Sequence, residues 1–208
     1  NSLLKDVQYH SELLDVLDIL DEQLAKYSSV IINERIKYIN LLSQKSEEIY
    51  SGISENKEKL SIKYLCGNEE LEKNDINDIY DYMISKINSS KKEDILLKST
   101  SVGPHRDDLE IKIDNISARS FGSQGQQRSC ALALKLGESE IIKDVTGENP
   151  VALLDDVMSE LDEKRQDYVL NHIKERQVFL TCCDPSQVLR LCKGKSFLIE
   201  SGKIKEER

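Results

Sequence analysis

The chain has 208 residues, 38% apolar, 32% charged and 5% aromatic, with no Trp. This apolar content is enough for a core and excludes a chain disordered throughout, while the shortage of aromatic residues disfavours an aromatic-rich β sandwich. The formal net charge of −9 argues against nonspecific nucleic-acid binding by the whole surface, although a local basic stripe or a channel between subunits stays compatible with it.

Five cysteines, Cys66, Cys130, Cys182, Cys183 and Cys192, lack the paired spacing of a zinc site. Adjacent Cys182 and Cys183 are poorly placed for an ordinary disulfide, so reduced thiols and a cytoplasmic location are expected. No apolar run approaches the roughly 20 residues that span a bilayer, and no membrane partner is expected. The chain opens on Asn1-Ser2 without Met and enters a helical pattern at once, which reads as part of a longer protein.

Apolar residues recur at helical spacing from Leu3 to about Ile53, with Leu13, Leu17, Leu20 and Leu24 on one face and Tyr27, Ile31, Tyr38 and Leu42 continuing it. One or two long helices are predicted, with Ser28-Ser29 as a candidate kink. Residues 60–65 alternate as a short strand before the Gly67-Asn68 turn, and Asn74 or Asp75 caps a helix through Ile79, Met83 and Ile87. At Asn88-Ser89-Ser90-Lys91-Lys92 the pattern changes to strands and turns, which places a domain boundary between residues 1–92 and 93–208. Acidity is shared across it: residues 1–92 hold 12 Lys/Arg against 17 Asp/Glu.

Beyond the boundary, Leu109 to Ile113 and Ile116 to Phe121 read as a hairpin around Asp114-Asn115. Gln124 to about Lys143 reads as a helix with Ala131, Leu132, Leu134 and Leu136 inside. Val151-Ala152-Leu153-Leu154 has the continuous apolar character of a parallel strand buried on both faces. A helix over 163–175, a second buried strand over 178–181, a short helix over 185–192 and a last strand over 196–200 complete half of an α/β domain.

Two motifs carry chemistry. A buried strand ending in Asp155-Asp156 projects carboxylates at the carboxyl edge of a sheet, where ligands of open α/β sheets bind. Asp155 suits Mg²⁺, and Asp156 suits holding or activating an attacking water. A strand followed by a polar turn gives the same pattern. The second motif, Phe121-Gly122-Ser123-Gln124-Gly125-Gln126-Gln127-Arg128, is a Gly-rich polar turn opening a helix, a design that binds anions through unpaired N–H groups. Taken alone, an ordinary N-cap with Ser123 and Gln126 as a capping box is the better account of it.

Order and spacing add a resemblance. Ser123-Gln124-Gly125-Gln126 resembles the signature loop of ABC/SMC ATPases, Ser159-Glu160-Leu161-Asp162 their D-loop, and Thr181-Cys182 their switch position. Within that class, Gly103 to Leu109, Ser123 to Arg128 and Leu153 to Asp162 closely resemble the RecF family. The match is specific over residues 99–184 and weaker over the first 92, where Asp21 to Ala25 and Arg35 resemble a helical arm.

The resemblance implies an α/β fold: the carboxyl-terminal lobe of an ABC/SMC-type P-loop ATPase head in residues 93–208, plus a mainly helical arm in residues 1–92. It implies ATP and Mg²⁺ as ligands of the whole protein, an ATP-dependent homodimer and duplex-DNA binding. It also implies partnership with a RecR-type mediator in loading recombinase at gaps, within DNA replication, recombinational repair and the SOS response. ATP is expected between two heads, with Asp155 and Asp156 from one copy and Ser123, Gln124, Gly125 and Gln126 from the other.

Departures from the pattern shape further expectations. The usual switch His is replaced by Thr181-Cys182-Cys183, so a γ-phosphate contact would come from Thr181 or the backbone. Asp156 stands where many ABC enzymes have Glu, which predicts slow turnover in the DNA-dependent ATPase that the resemblance implies for the full-length protein. The phosphate-gripping G-x-x-x-x-G-K-[ST] occurs nowhere; Gly194-Lys195-Ser196 is a decoy, because position 189 is Leu. Residues 1–208 alone are therefore expected to be catalytically silent.

His105, Arg106, Arg128 and Asp162 are weaker site candidates. His10 and His172 read as solvated, Lys91-Lys92 as linker charge, Tyr27 and Tyr38 as arm packing, and the Cys pair as small buried residues. Two other readings compete: a non-catalytic partner-interaction module, and the head of another SMC-like protein. The helical segment ends near Ile53 without long heptads, which favours the short RecF-like arm.

Overall fold

The computed structural model describes residues 1–7, 10, 12–71, 75–158, 161–183 and 194–207. Helix α1 (Ser2–Asp6) precedes α2 (Leu13–Ile53), a single helix of 41 residues that runs unbroken through Ser28-Ser29. Both serines are buried, and Ser29 Oγ donates to the Lys26 carbonyl at 2.9 Å. The buried residues of α2 are Leu17, Ala25, Ser28, Ser29, Ile32, Ile39, Leu42, Ser46, Ile49, Tyr50 and Ile53. Of the apolar stripe expected from the sequence, Leu17 and Leu42 are buried and Leu13 and Leu24 half-buried, while Leu20, Tyr27 (63%), Ile31 and Tyr38 are exposed. Small side chains at Ala25, Ser28, Ser29 and Ser46 let neighbouring helices approach, and they complete a buried face otherwise made of large apolar residues such as Ile32, Ile49 and Tyr50.

Strands β1 (Leu60–Cys66) and β2 (Glu69–Glu70) follow, then α3 (Ile76–Leu97). Asp75 caps α3, accepting from Asn77 N at 2.8 Å, while Asn74 lies outside the described residues. The change of pattern at residues 88–92 falls inside α3. Lys91 is a helix residue paired with Asp18 and, at 3.3 Å, with Asp21, joining α3 to α2.

A 3₁₀ turn (Pro104–Arg106) leads to β3 (Asp108–Ile113), the Asp114-Asn115 turn and β4 (Ile116–Ser117). Both turn residues have positive φ, 49° and 67°, which Asp and Asn tolerate in a tight hairpin. The partner strand is only two residues long. Ser117 caps a short helix α4 (Ala118–Phe121) instead, accepting from Ser120 N and stopping the expected strand. The sheet order is β2-β1-β3-β4, with β1 and β3 antiparallel from Leu60↔Ile113 to Leu65↔Asp108. Segments on either side of residue 92 thus share one sheet and one hydrophobic core.

Helix α5 (Gln124–Thr146) packs on α2. Leu132, Ala133 and Leu136 are buried and Leu134 half-buried, while Ala131 is exposed. The crossing is close at Gly137, where an added Cβ would lie 2.6 Å from Ser46 Oγ and 3.2 Å from Ser46 N. Strand β5 (Ala152–Asp155) pairs in parallel with β6 (Val178–Thr181), connected through α6 (Glu163–His172). Leu154, Val178 and Leu180 pack on the core, but Leu153 is 75% and Phe179 58% exposed. Only one face of this pair is covered among the described residues, in contrast to the two-sided burial expected.

The last strand is not part of that sheet: β7 (Phe197–Glu200) folds back on β8 (Lys203–Glu207) as a separate antiparallel hairpin. Its turn, Ser201-Gly202, has positive φ at both residues. The short helix expected over 185–192 lies outside the described residues. No helix among them is long and apolar enough to cross a membrane.

Candidate functional site

Asp155 and Thr181 end the paired strands β5 and β6 and face each other in register. Thr181 Oγ1 donates to Asp155 Oδ1 at 2.5 Å. The N–H of Asp156 reaches both the Thr181 hydroxyl at 3.0 Å and its carbonyl at 3.2 Å. Asp156 takes a left-handed backbone, φ 50°, which turns the chain sharply out of the strand and is tolerated by Asp better than by most residues. Both residues are exposed at the carboxyl edge of the strand pair.

Mg²⁺ is usually held by one or two carboxylates, completed by waters and phosphate oxygens. Asp155 and Asp156 fit that donor set. No cluster of three or more His, Cys, Asp or Glu exists among the described residues to form an all-protein cage. The Thr181 hydroxyl is engaged with both Asp155 and the Asp156 amide.

Ser123 is the N-cap of α5. Its Oγ accepts from Gln126 N at 3.2 Å, and Gln126 Oε1 accepts from Ser123 N at 2.8 Å, forming the reciprocal capping box. Gln124 and Arg128 are exposed on the first turns, and Gly125 is half-buried. A Cβ on Gly125 would stand 3.3 Å from Arg165 Nη1, so glycine leaves room for that guanidinium. Gln127 Nε2 lies 3.1 to 3.3 Å from the carbonyls of Ala118, Arg119 and Gly122, and so caps the carboxyl end of α4.

Of the D-loop residues, Ser159 and Glu160 lie outside the described residues. Asp162 is the N-cap of α6, accepting from Arg165 N at 3.0 Å. Arg165 spans two elements: Nε lies 3.4 Å from Asp162, and Nη1 donates to Ser129 Oγ of α5 at 3.3 Å. Asp162 and helix α5 are thereby linked through one side chain that the sequence pattern did not single out. Glu58 was missed for the same reason: it accepts from Gln126 Nε2 at 2.8 Å across 68 residues of sequence.

His105 and Arg106 form the exposed 3₁₀ turn, where Arg106 Nη2 reaches the Thr100 carbonyl at 3.5 Å and Arg35 of α2 donates to the Pro104 carbonyl at 2.5 Å. The motif's organising residue is Asp107, whose side chain is only 2% exposed. It accepts from the Tyr64 hydroxyl and from Gly67 N (2.9 Å), with Arg35 at 3.7 Å. Burial, then the bond to Asp107, pushes the Tyr64 hydroxyl well above its ordinary pKa. This network joins α2, β1 and β3.

Burial pushes the Cys66 thiol up to about 12 and the Cys130 thiol up to about 11, which leaves both unreactive at neutral pH. Cys182 is half-buried and Cys183 exposed, not buried as expected. His10 lies 3.3 Å from Glu12. His10 is exposed as expected, whereas His172 is not: it stacks on Tyr168 with ring centroids 6.0 Å apart, and its Nε2 lies 3.2 Å from Glu140.

No family model matches the chain. Among curated relatives, the DNA replication and repair protein RecF of Clostridium acetobutylicum is 43% identical over 194 residues, 92% of this chain and 52% of the relative. RecF of Clostridium perfringens (strain 13 / Type A) is 45% identical over 205 residues, covering 94% and 55%. A solved structure of the recombination mediator protein RecF with ATP, in the RecFOR pathway, superposes with a TM-score of 0.82 at 39% identity. It covers 99% of this chain and 54% of that one. The chain spans about half the length of the relatives it matches. Agreement of sequence and fold over nearly all 208 residues places it in the RecF family of DNA replication and repair proteins.

Proposed function

We propose that this chain supplies half of an ATP site to a RecF-type recombination mediator that binds ATP and duplex DNA as a dimer and helps load recombinase at gaps, with a RecR-type partner. The observation that carries this reading is the pair Asp155-Asp156 at the carboxyl edge of a parallel strand pair, fixed by Thr181. The Ser123 turn, which opens a 23-residue helix, gives it a second support.

In this reading Asp155 holds the metal side of the site and Asp156 orients the attacking water and accepts its proton. Mg²⁺, when bound, neutralises charge on the phosphate oxygens. Ser123, Gly125 and Gln126 of the other copy approach the far side of the phosphates. There the amino end of α5 presents N–H donors and a favourable dipole. Because that half-site forms only when two copies meet, nucleotide favours the dimer and hydrolysis releases it. The Lys-bearing phosphate loop that residues 1–208 lack is assigned to the portion of the RecF relatives that this chain does not match.

Sedimentation of the full-length protein with and without the slowly hydrolysed analogue ATPγS tests the proposal. A monomer that becomes a dimer only with nucleotide, and that then binds duplex DNA more tightly, supports it. A monomer indifferent to nucleotide contradicts it and favours a non-catalytic interaction module, for which the exposed apolar stripe of α2 is the supporting feature.

A further inference from the structure

We propose that Glu58 is a positioning residue that holds the Ser123–Gln126 turn in its interface-ready shape and ties it to the carboxyl end of α2. The inference rests on the reading of that turn as the loop that meets nucleotide across the dimer.

The amide of Gln126 has two ends, and both are engaged. Oε1 accepts from Ser123 N at 2.8 Å, closing the capping box, while Nε2 donates to Glu58 Oε1 at 2.8 Å. The second carboxylate oxygen, Oε2, accepts from the Tyr50 hydroxyl at 2.6 Å. Tyr50 is 1% exposed in the last turn of α2, so Glu58 is anchored to the core on one side and reaches the turn on the other. A charged acceptor makes these bonds stronger than neutral ones, and its negative charge is favourably placed near the amino end of α5.

The segment carrying Glu58 is itself fixed. The Glu58 carbonyl accepts from Ser54 Oγ at 3.3 Å, and neighbouring Lys59 exchanges two bonds with Asp114, each 2.9 Å. Three residues earlier, Glu55 Oε1 pairs with Lys164 Nζ at 2.8 Å, in the first turn of α6 just past Asp162. One short connection between α2 and β1 therefore touches the amino ends of both α5 and α6. Without the Glu58 acceptor, the Gln126 rotamer that closes the box loses its outer support, and the turn must be ordered when the copies meet. Ordering at an interface costs binding energy, which is the expected point of failure.

The test uses the full-length protein and three readouts: nucleotide-dependent dimerisation by sedimentation, binding of a fluorescent ATP analogue to the monomer at low protein concentration, and the thermal midpoint. Glu58→Met keeps the length and apolar stem and removes the acceptor. It is expected to weaken the nucleotide-dependent dimer by about tenfold, the loss of one charge-assisted bond, with monomer binding of nucleotide unchanged within about twofold. Glu58→Gln, which retains an oxygen for Gln126, is expected to recover most of the loss. Glu58→Met and Gln126→Ala are expected to be non-additive on dimerisation. If Glu58→Met fails to fold because the Tyr50 hydroxyl is orphaned, the double variant with Tyr50→Phe carries the same measurement.

Wild-type dimerisation of Glu58→Met, with dimerisation lost in Ser123→Arg, overturns the role of Glu58 and leaves the loop reading intact. Additive losses, or equal losses in Glu58→Gln and Glu58→Met, reduce Glu58 to a merely structural residue and also overturn it. Wild-type dimerisation of Ser123→Arg overturns the loop reading itself, and this inference with it.

Discussion

The Thr181 hydroxyl donates to the Asp155 carboxylate at 2.5 Å while accepting from the Asp156 amide at 3.0 Å, so one side chain fixes both acidic residues from the neighbouring strand. Thr181→Val keeps the β-branched shape and removes both bonds. In the full-length protein it is expected to lower ATP turnover by about tenfold or more with nucleotide affinity little changed, since misplaced catalytic groups act on kcat before KM. Thr181→Ser restores the hydroxyl and most of the activity. Steady-state kinetics of the two variants separates this role from a phosphate contact, whose loss would raise KM.

Asp107 holds Tyr64, Gly67 N and Arg35 from inside the fold. Asp107→Ala leaves a buried hydroxyl and amide without their acceptor and a guanidinium without its counter-charge. Urea denaturation is expected to show a loss of about 2–4 kcal/mol. A change below about 0.5 kcal/mol, typical of surface substitutions, would contradict the assignment.

At Gly137, α5 lies against Ser46 of α2 too closely for a side chain. Gly137→Val is expected to destabilise by about 1–3 kcal/mol through forced separation of the helices. The companion variant Ser46→Gly with Gly137→Ala regains part of the loss in thermal melts, because the nearest atom in the way is the Ser46 hydroxyl.

Burial holds His172 below the usual imidazole range, partly opposed by Glu140, with Arg176, Glu48 and stacked Tyr168 also facing it. A histidine with a depressed folded-state pKa binds fewer protons folded than unfolded. Its contribution to stability is therefore present above about pH 6.5 and is lost as pH falls below that value toward the folded pKa. His172→Gln should flatten the fall in stability between about pH 6.5 and 5 relative to the wild-type protein in paired urea titrations. Parallel curves for the two proteins would contradict it.

Local pattern exposed some of these features and hid others. The Asp155-Asp156 strand end and the Ser123 capping box were legible because each is written in a few consecutive residues. The buried face of α2 was legible only in part: Leu17 and Leu42 are buried as their spacing predicts, but Ala25, Ser28, Ser29 and Ser46 carry close helix packing without hydrophobic signal. The pairing of β1 with β3 skips α3 entirely, and the Glu58–Gln126 bond joins residues 68 apart, so neither leaves a periodic trace. Ile116 to Phe121 looked like a strand, but the Ser117 cap turns its last four residues into helix.

The most direct test of a composite site between two copies is ATP turnover by mixed variants of the full-length protein. Ser123→Arg and Asp156→Asn are each expected to be inactive alone. Mixed, they form dimers in which one site combines the intact Asp156 of the first copy with the intact Ser123 turn of the second. Turnover should then be restored in part, because only the mixed dimers hold an intact site and each holds one of two. A mixture as inactive as its components would contradict the shared site, and activity in either variant alone would remove that residue from it.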